Sequence, residues 1–239
     1  MEATQRQEAF QILIDSDLFG KLKKEILIGM IEECEKGKWK KNESIDPYIS
    51  TEYLHIILSG RLKISQVDPK SGRSVAMFLL SSRDIFDVFS LLDGKEHIVQ
   101  PVALDHVEYL RIPIVKAREW MKKHPEFNEA FLPYLGNMMR DLEAFGESLV
   151  FHDTLTRLAR LILRHVPHYH AGHHDHIPVQ LLNNLTHESL AEMIGSVRSV
   201  VSTQIHRLKQ EGAVISDRGH LAIADMEKLI ETLNQHTYL

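Results

Sequence analysis

Apolar residues recur every three or four positions near the N-terminus, and short strand-like runs replace this pattern from Trp39 onward. The helical spacing covers residues 8 to 36 and predicts a helical segment there. Between Trp39 and Pro113 the apolar runs are shorter, and turn residues separate them at Ser59-Gly60 and at residues 68–74. Several short strands at this spacing predict a β-sandwich or a barrel-like roll.

Helical spacing returns after Pro113 and predicts a short helix over residues 114–123, followed by a long helix that begins at Pro125. In the long helix six apolar residues step by 4, 3, 4, 3 and 4, which is the spacing of a coiled-coil seam. Pro133 lies inside this run and is expected to kink the helix or weaken its first turns. The seam predicts a dimer, and packing of the helix on its own domain is the alternative. The seam residues are Phe131, Leu135, Met138, Leu142, Phe145 and Leu149.

The last third of the chain has the pattern of a winged helix-turn-helix. Asp153 is the expected N-cap of a new helix, which places a domain boundary near residue 152. Thr186 is the expected N-cap of the first helix of the motif, and a hairpin turning at Arg218-Gly219 and a helix over residues 226–236 come after it. The positions expected to pack the two motif helices together are Ala191, Gly195, Val201, Ile205 and Leu208.

The second helix of this motif has the charge expected of a surface that faces phosphates. Residues 195–212 hold four basic side chains and one acidic side chain, although the whole chain carries a formal charge of −5. Carboxylates on such a surface would oppose the electrostatic attraction that dominates affinity for DNA. A helical hairpin with a solvated polar face is the alternative. The predicted DNA contacts are Arg198, Ser199, Ser202, Thr203, His206 and Lys209 on the helix and Arg218 at the tip of the wing.

Composition excludes several classes of protein. The apolar runs are too short to span a bilayer and the N-terminus has no signal pattern, so we expect a cytoplasmic protein without a membrane partner. Cys34 is the only cysteine, which excludes an internal disulfide and an iron–sulfur cluster held by several thiolates of one chain. The sequence has no glycine-rich phosphate loop and no nucleophile motif such as G-x-S-x-G, so an enzyme is not expected.

The chain resembles the Crp-Fnr family of bacterial transcription regulators over nearly its full length. The segments "DLFGKLKKEIL", "YLHIILSGRLKI", "RDIFDV" and "LAEMIGSVRSVVSTQIHRLKQEGAVI" occur in the family's order. The segments "FHDTLTRLARLILRH" and "EMIGSVRSVVST" are most similar to the carbon-monoxide-sensing haem branch.

This resemblance implies an α+β protein with three parts. They are a β-roll sensor domain over residues 1–124, a dimerisation helix over 125–152, and a winged helix-turn-helix DNA-binding domain over 153–239. The roll is a double-stranded β-helix similar to cyclic-nucleotide-binding domains. The resemblance also implies a homodimer that binds palindromic operator DNA and contacts RNA polymerase.

Departures from the family pattern restrict the effector. Cyclic-nucleotide-binding members hold the phosphate with a Gly-Glu pair and, ten residues later, an Arg-Ser pair, whereas this chain has Asp87-Val88 and Ile98-Val99. Apolar side chains cannot bind a phosphate and Asp87 repels it, so cAMP is not expected as the effector. The haem branch has a cysteine and a histidine where this chain has Asp87 and Phe89, so haem binding does not carry over by that route. Ser199 replaces a glutamate common in the recognition helix, which predicts a different half-site.

The residues that remain to line an effector pocket are apolar. One interpretation is a roll that holds no ligand or whose ligand site has collapsed. The other is an apolar or haem-like effector, with His97 or His106 as an axial ligand. The candidate lining residues are Phe86, Val88, Phe89, Leu91, Leu92, Ile98 and Val99 from the roll and Met138 and Leu142 from the long helix.

A histidine-rich segment lies between residues 165 and 176. Imidazoles at this density bind zinc, copper or nickel, and a solvated loop is the alternative. The candidate ligands are His168, His170, His173, His174 and His176. The main hypothesis is a DNA-binding regulator gated by an effector other than cAMP or an iron–sulfur cluster. The alternatives are an effector-independent regulator and a haem- or metal-binding sensor whose helix-turn-helix mediates a protein contact.

Overall fold

The computed structural model describes residues 1–166, 177–217 and 219–236, and the chain forms two compact units. The first unit comprises Met1–Val67 with Met77–Leu142, and the second comprises Asp68–Ala76 with Glu143–Leu239. Several residues singled out from the sequence lie outside the described residues: Arg218, His168, His170, His173, His174 and His176.

Two helices, α1 (Ala3–Ile14) and α2 (Lys24–Glu32), begin the first unit. The single helical segment predicted over residues 8 to 36 is wrong, because a 3₁₀ turn at Phe19–Lys21 interrupts it. Ser16 Oγ accepts a hydrogen bond from Phe19 N over 2.8 Å, and this local bond competes with continuation of the helix. The segment also ends earlier than predicted, since strand β1 covers Glu35–Trp39.

A β-roll of two sheets follows. After β1 the strands are β2 (Tyr53–Ser59), β3 (Leu62–Val67), β4 (Ser74–Leu80), β5 (Ile85–Phe86), β6 (Gln100–Ala103) and β7 (Val107–Pro113), and short helices α3 (Ile49–Glu52) and α4 (Val88–Asp93) lie between strands. One sheet has the strand order β1-β7-β2-β5 and the other has the order β4-β3-β6.

The strand order places β2 and β3 in different sheets although they are neighbours in sequence. Ser59-Gly60 is therefore a corner between sheets. Gly60 has a φ of 82°, and a Cβ atom at this position would lie 2.5 Å from the backbone oxygen of His106. Only glycine fits this corner without strain.

Alternation along β2 divides the apolar side chains of the first unit between two cores. Leu54, Ile56 and Leu58 belong to the core formed with α1 and α2. Ile57 belongs to the core inside the roll, together with Trp39 of β1 and with Leu62 and Ile64 of the second sheet.

The predicted short and long helices are present as α5 (Ile114–Lys123) and α6 (Pro125–Phe151). Phe131 of α6 is only 1% exposed and stacks between Phe127 and Tyr134, at centroid distances of 5.3 and 6.2 Å. The placement of Phe131 on an intermolecular seam is therefore wrong, because its ring fills the core of its own unit.

The second unit contains α7 (Thr154–Arg164), α8 (His187–Met193), α9 (Arg198–Gln210) and α10 (Met226–His236). Its strands are β8 (Ile177–Pro178), β9 (Val214–Asp217) and β10 (His220–Ile223), in the sheet order β8-β10-β9. Asp153 accepts a hydrogen bond from Thr156 N over 2.8 Å, and Thr186 accepts one from Ser189 N over 3.0 Å. Both residues therefore cap their helices as predicted. In the described part of the chain, no helix combines the length and apolar character needed to cross a membrane.

Candidate nucleic-acid interface

Helices α8 and α9 pack as a helix-turn-helix whose inner face is apolar. Val201 and Leu208 are fully buried, and Ile205 and Ala191 are nearly so. The spacing of Val201, Ile205 and Leu208 places them on one side of α9, which leaves the opposite side exposed.

The turn between α8 and α9 is held from two sides within the second unit. Gly195 has a φ of 60°, and a Cβ atom there would lie 2.6 Å from Leu149 Cδ2. On α7, Arg157 Nη1 donates to the carbonyl of Ile194 over 2.7 Å and to that of Gly195 over 3.4 Å. Partial burial lowers the pKa of the Arg157 guanidinium, and Asp153 opposes this effect. This role of Arg157 is not predictable from the sequence, because its partners are backbone carbonyls 37 and 38 residues away.

The exposed side of α9 carries most of the predicted DNA contacts. Arg198, Ser199, Thr203 and His206 are exposed, and no residue of α9 is acidic. Lys209 is also exposed, and its Nζ donates to the backbone oxygen of Ser216 on β9 over 2.6 Å. This bond attaches the recognition helix to the wing.

A groove of about 500 Å³ lies between α8, α9 and the wing. Arg198 and His187 line it, together with Ser216 and Gly219 of the hairpin. His187 Nδ1 lies 2.7 Å from Ser202 Oγ and joins the two helices of the motif. Ser202, one of the predicted DNA contacts, is half-buried and bonded in this way.

The roll interior holds a much smaller cavity, of about 10 Å³. Phe86, Val88, Phe89 and Met138 line it, as predicted for an effector pocket. Its full lining is Ile64, Phe78, Leu80, Ile85, Phe86, Asp87, Val88, Phe89, His97 and Met138.

The other candidates for the effector pocket do not line this cavity. Leu92 and Ile98 are 54% and 79% exposed, so their assignment to the lining is wrong. Val99 is buried in the roll core without reaching the cavity, and Leu142 is half-exposed on α6.

Asp87 is bonded within the roll, at the place where the resemblance puts a phosphate-binding pair. One oxygen of Asp87 accepts from Phe89 N over 2.9 Å and caps α4, and the other lies 2.8 Å from His97 Nδ1. The ring of His97 also packs on that of Phe89, with centroids 4.7 Å apart. Asp87 and His97 were each singled out in the sequence, but their pairing was not predicted.

A haem does not fit the cavity of this conformation, since a volume of about 10 Å³ is at most that of one water molecule. His106 lines a separate depression beside Lys40 and Glu43 and cannot act as an axial ligand in the roll. Among the described residues, no group of three or more His, Cys, Asp or Glu side chains is arranged to hold a metal ion.

Helix α6 exposes an apolar stripe that differs from the predicted seam. Leu132 and Met139 are 64% and 70% exposed, and Leu149 is also exposed. Leu135, Met138, Leu142 and Phe145 are half-buried. The stripe also has a spacing of three and four residues, and it comprises positions 132, 135, 139, 142, 146 and 149. It begins at the exposed Leu132, whereas the predicted seam begins at the buried Phe131.

Comparison with known proteins finds a matching domain in the second unit and relatives that are similar over most of the chain. The Crp-like helix-turn-helix domain matches residues 156–232. A global nitrogen regulator of Synechocystis sp. is 28% identical over 201 residues, which cover 83% of this chain and 86% of that protein. A CRP-like cAMP-activated global transcriptional regulator of Mycobacterium tuberculosis is 24% identical, over 74% of this chain and 77% of that protein.

Solved structures agree on the fold. A CooA mutant from Carboxydothermus hydrogenoformans has a TM-score of 0.71 at 20% identity, over 85% of this chain and 89% of that chain. FixK2 from Bradyrhizobium japonicum has a TM-score of 0.69 at 14% identity, over 83% and 96%. An N-terminal β-roll, a long helix and a C-terminal helix-turn-helix are thus the arrangement of this chain. Residues 156–232 thus form a Crp-like helix-turn-helix domain, and over most of its length the chain is similar to transcription regulators of the Crp type.

Proposed function

We propose that the chain acts as a homodimer that binds a palindromic operator through α9 and regulates transcription by contacting RNA polymerase. The observation that carries this proposal is the division of α9 into a buried apolar face and an exposed face without carboxylates. Such a face suits a helix inserted into the major groove, where Arg198 recognises guanine. The proposed DNA contacts are Arg198, Ser199, Ser202, Thr203, His206, Lys209 and Arg218.

The exposed stripe on α6 supports the dimeric form. Leu132 and Met139 are large apolar side chains in contact with water, and they lie one heptad apart. A second copy of α6 would bury them and bring two recognition helices together, as a palindromic site requires. We therefore place the dimer seam at Leu132, Leu135, Met139, Leu142 and Leu149, with Gly146 allowing close approach.

We assign residues 1–124 to a sensor domain, 125–152 to the dimerisation helix and 153–239 to the DNA-binding domain. Asp87 stands where cyclic-nucleotide-binding relatives have a Gly-Glu pair, and its carboxylate repels a phosphate, which argues against cAMP as the effector. Burial raises the pKa of Cys34 to about 12, so this thiol is protonated and unsuited to metal ligation. An effector of another class would change the pairing of α6 and the orientation of α9.

A second candidate is a regulator that needs no effector, and the small cavity in the roll favours it. Native mass spectrometry of the purified protein separates the two. A retained small molecule whose removal changes the affinity for DNA supports a regulator controlled by an effector. A mass equal to that of the protein alone, together with full affinity for DNA, supports the effector-independent regulator.

Selection from a pool of random duplexes tests DNA binding. We expect the full-length chain to enrich a palindrome whose half-sites lie one helical turn apart. Affinity for that palindrome should fall steeply as salt rises. Arg198→Ala should relax the enrichment at the guanine that it recognises, whereas Arg164→Ala on α7 should leave the enriched sequence unchanged. Recovery of random sequences by the unmodified chain would contradict the proposal.

A further inference from the structure

The hydrogen bond between His187 and Ser202 has a consequence for which bases the recognition helix selects, and this inference rests on the proposed function. His187 is the first residue of α8, and Ser202 follows Arg198 by one turn on α9. His187 Nδ1 and Ser202 Oγ are 2.7 Å apart. Ser202 Oγ has no second hydrogen bond within the described residues, and Nε2 of His187 is not among their buried unpaired atoms.

A neutral imidazole can make this bond in two ways. In the first, the Ser202 hydroxyl donates its proton to Nδ1, the ring proton is on Nε2, and Ser202 oxygen is left as an acceptor. In the second, Nδ1 carries the proton and donates to Ser202, Nε2 is an acceptor, and the serine hydroxyl is free to donate. The two forms offer opposite hydrogen-bonding groups to a DNA molecule.

DNA favours the first form. The first helix of a helix-turn-helix crosses the phosphate backbone, and phosphate oxygens only accept hydrogen bonds. His187 lies at the start of that helix and lines the open groove beside Arg198, so Nε2–H is the form that gains a partner there. When the ring proton is on Nε2, the Ser202 hydroxyl donates its proton in the hydrogen bond to Nδ1.

We propose that His187 and Ser202 act as one reading unit, in which His187 makes the Ser202 oxygen an acceptor only. In the major groove an acceptor is matched by the amino group of adenine or of cytosine, and it is repelled by the acceptors of guanine and thymine. Serine alone can donate or accept and therefore discriminates poorly. The pair selects an amino-bearing base at the position that Ser202 faces, and His187 is the residue that determines this specificity.

The test measures dissociation constants of the full-length chain at pH 8. The probes are the palindrome selected from the random pool and duplexes in which one base pair of each half-site is changed. Ser202→Ala identifies the position that Ser202 faces. There we expect the unmodified chain to prefer adenine or cytosine by about 5- to 150-fold.

His187→Phe and Ser202→Ala should each reduce that preference to within about two-fold, and the double variant should lose no more than either single one. His187→Ala is measured beside His187→Phe, so that poor folding of one variant does not decide the result. His106→Phe is the matched control, because it replaces an exposed imidazole of the roll that is not bonded to Ser202 and is not among the proposed DNA contacts. It should leave the preference at this position unchanged.

Three results would overturn the pairing: a preference for guanine or thymine at this position, a preference that survives both His187 variants, or additive losses in the double variant. Specific binding of the palindrome would stand in each of these cases. Failure of the unmodified chain to prefer any sequence would instead remove the proposed function, and this inference with it.

Discussion

His55 is buried in the roll, and neither of its ring nitrogens has a hydrogen-bond partner in the described part of the chain. Four aromatic rings surround it at centroid distances of 5.0 to 6.4 Å: Trp39, Tyr53, Phe86 and Tyr109. Burial, with a smaller contribution from the positive charge of Arg111, lowers the pKa of His55 to about 3. The imidazole is therefore neutral in the native state at physiological pH.

This neutral imidazole makes stability depend on pH. Above the unfolded pKa of about 6.5 neither state binds the proton, and the full stability is present. As pH falls below 6.5, only the unfolded chain takes up the proton, so the free energy of unfolding decreases by at most about 1.4 kcal/mol per pH unit until the native pKa is reached. Urea unfolding at pH 7.5, 6 and 5 should show a shallower decrease for His55→Phe. His106→Gln, at an exposed position, should keep the slope of the unmodified chain, and equal slopes in all three proteins would contradict this account.

Arg198 is the exposed guanidinium at the start of the recognition helix. If it recognises a guanine with two hydrogen bonds, Arg198→Ala should cost about 1–3 kcal/mol of specific DNA affinity. Titrations of the protein with a specific duplex and with a random duplex should show that affinity falls mainly for the specific duplex. Arg207→Ala removes the same charge from a side chain that is paired with Glu211 at 2.8 Å, and it should change both affinities about equally. An unchanged ratio of the two affinities in Arg198→Ala would rule out the base contact.

At the scale of the element, α7 fixes the turn that aims α9. Arg157→Met removes the donor to the Ile194 and Gly195 carbonyls, and the second unit should lose about 1.5–3 kcal/mol of unfolding free energy. Arg160→Met, on the same helix, breaks only an exposed ion pair with Glu147 and should cost less than about 1 kcal/mol. Urea unfolding followed by circular dichroism measures both. Equal costs for the two variants would show that the turn does not depend on Arg157.

Elements with strong periodicity and clear end signals were predictable from the sequence. Pro125 opens α6, Asp153 and Thr186 cap their helices, and the buried face of α9 follows from its spacing. These features depend on neighbours within a few residues, which a sequence displays directly. Local pattern identified the strands of the roll as well, although it could not show that β2 and β3 lie in different sheets.

Features that depend on distant contacts were not predictable. Phe131 fits a heptad as well as Leu132 does, and only the packing of its ring against Phe127 and Tyr134 separates the two. The bond between His187 and Ser202 spans 15 residues, and the bond between Asp87 and His97 spans 10. No periodic signal marks such pairs. They are fixed by tertiary packing, which brings together positions that are unremarkable in sequence.

At the scale of the whole molecule, the charge distribution separates specific from general attraction to DNA. The chain has 28 Lys and Arg residues against 33 Asp and Glu residues, yet α9 has no acidic residue. The net negative charge of the chain opposes general attraction to DNA, whereas the charged side chains of the recognition helix are all basic. This arrangement favours approach in one orientation and limits binding to random sequence.

The position of the dimer seam on α6 gives the last prediction. Leu142 belongs to both heptad assignments, so a charge there would disrupt either one, whereas Met139 belongs only to the stripe that begins at Leu132. Met139→Glu should therefore yield a monomer with little affinity for a palindromic operator, because two charges would have to be buried against each other. Asn137→Glu is the control, since position 137 lies opposite the stripe on the same helix and should leave a dimer. Sedimentation equilibrium measures the oligomeric state of both variants. A stable Met139→Glu dimer would contradict the stripe that begins at Leu132 and favour the predicted seam, which contains Met138 and Phe145.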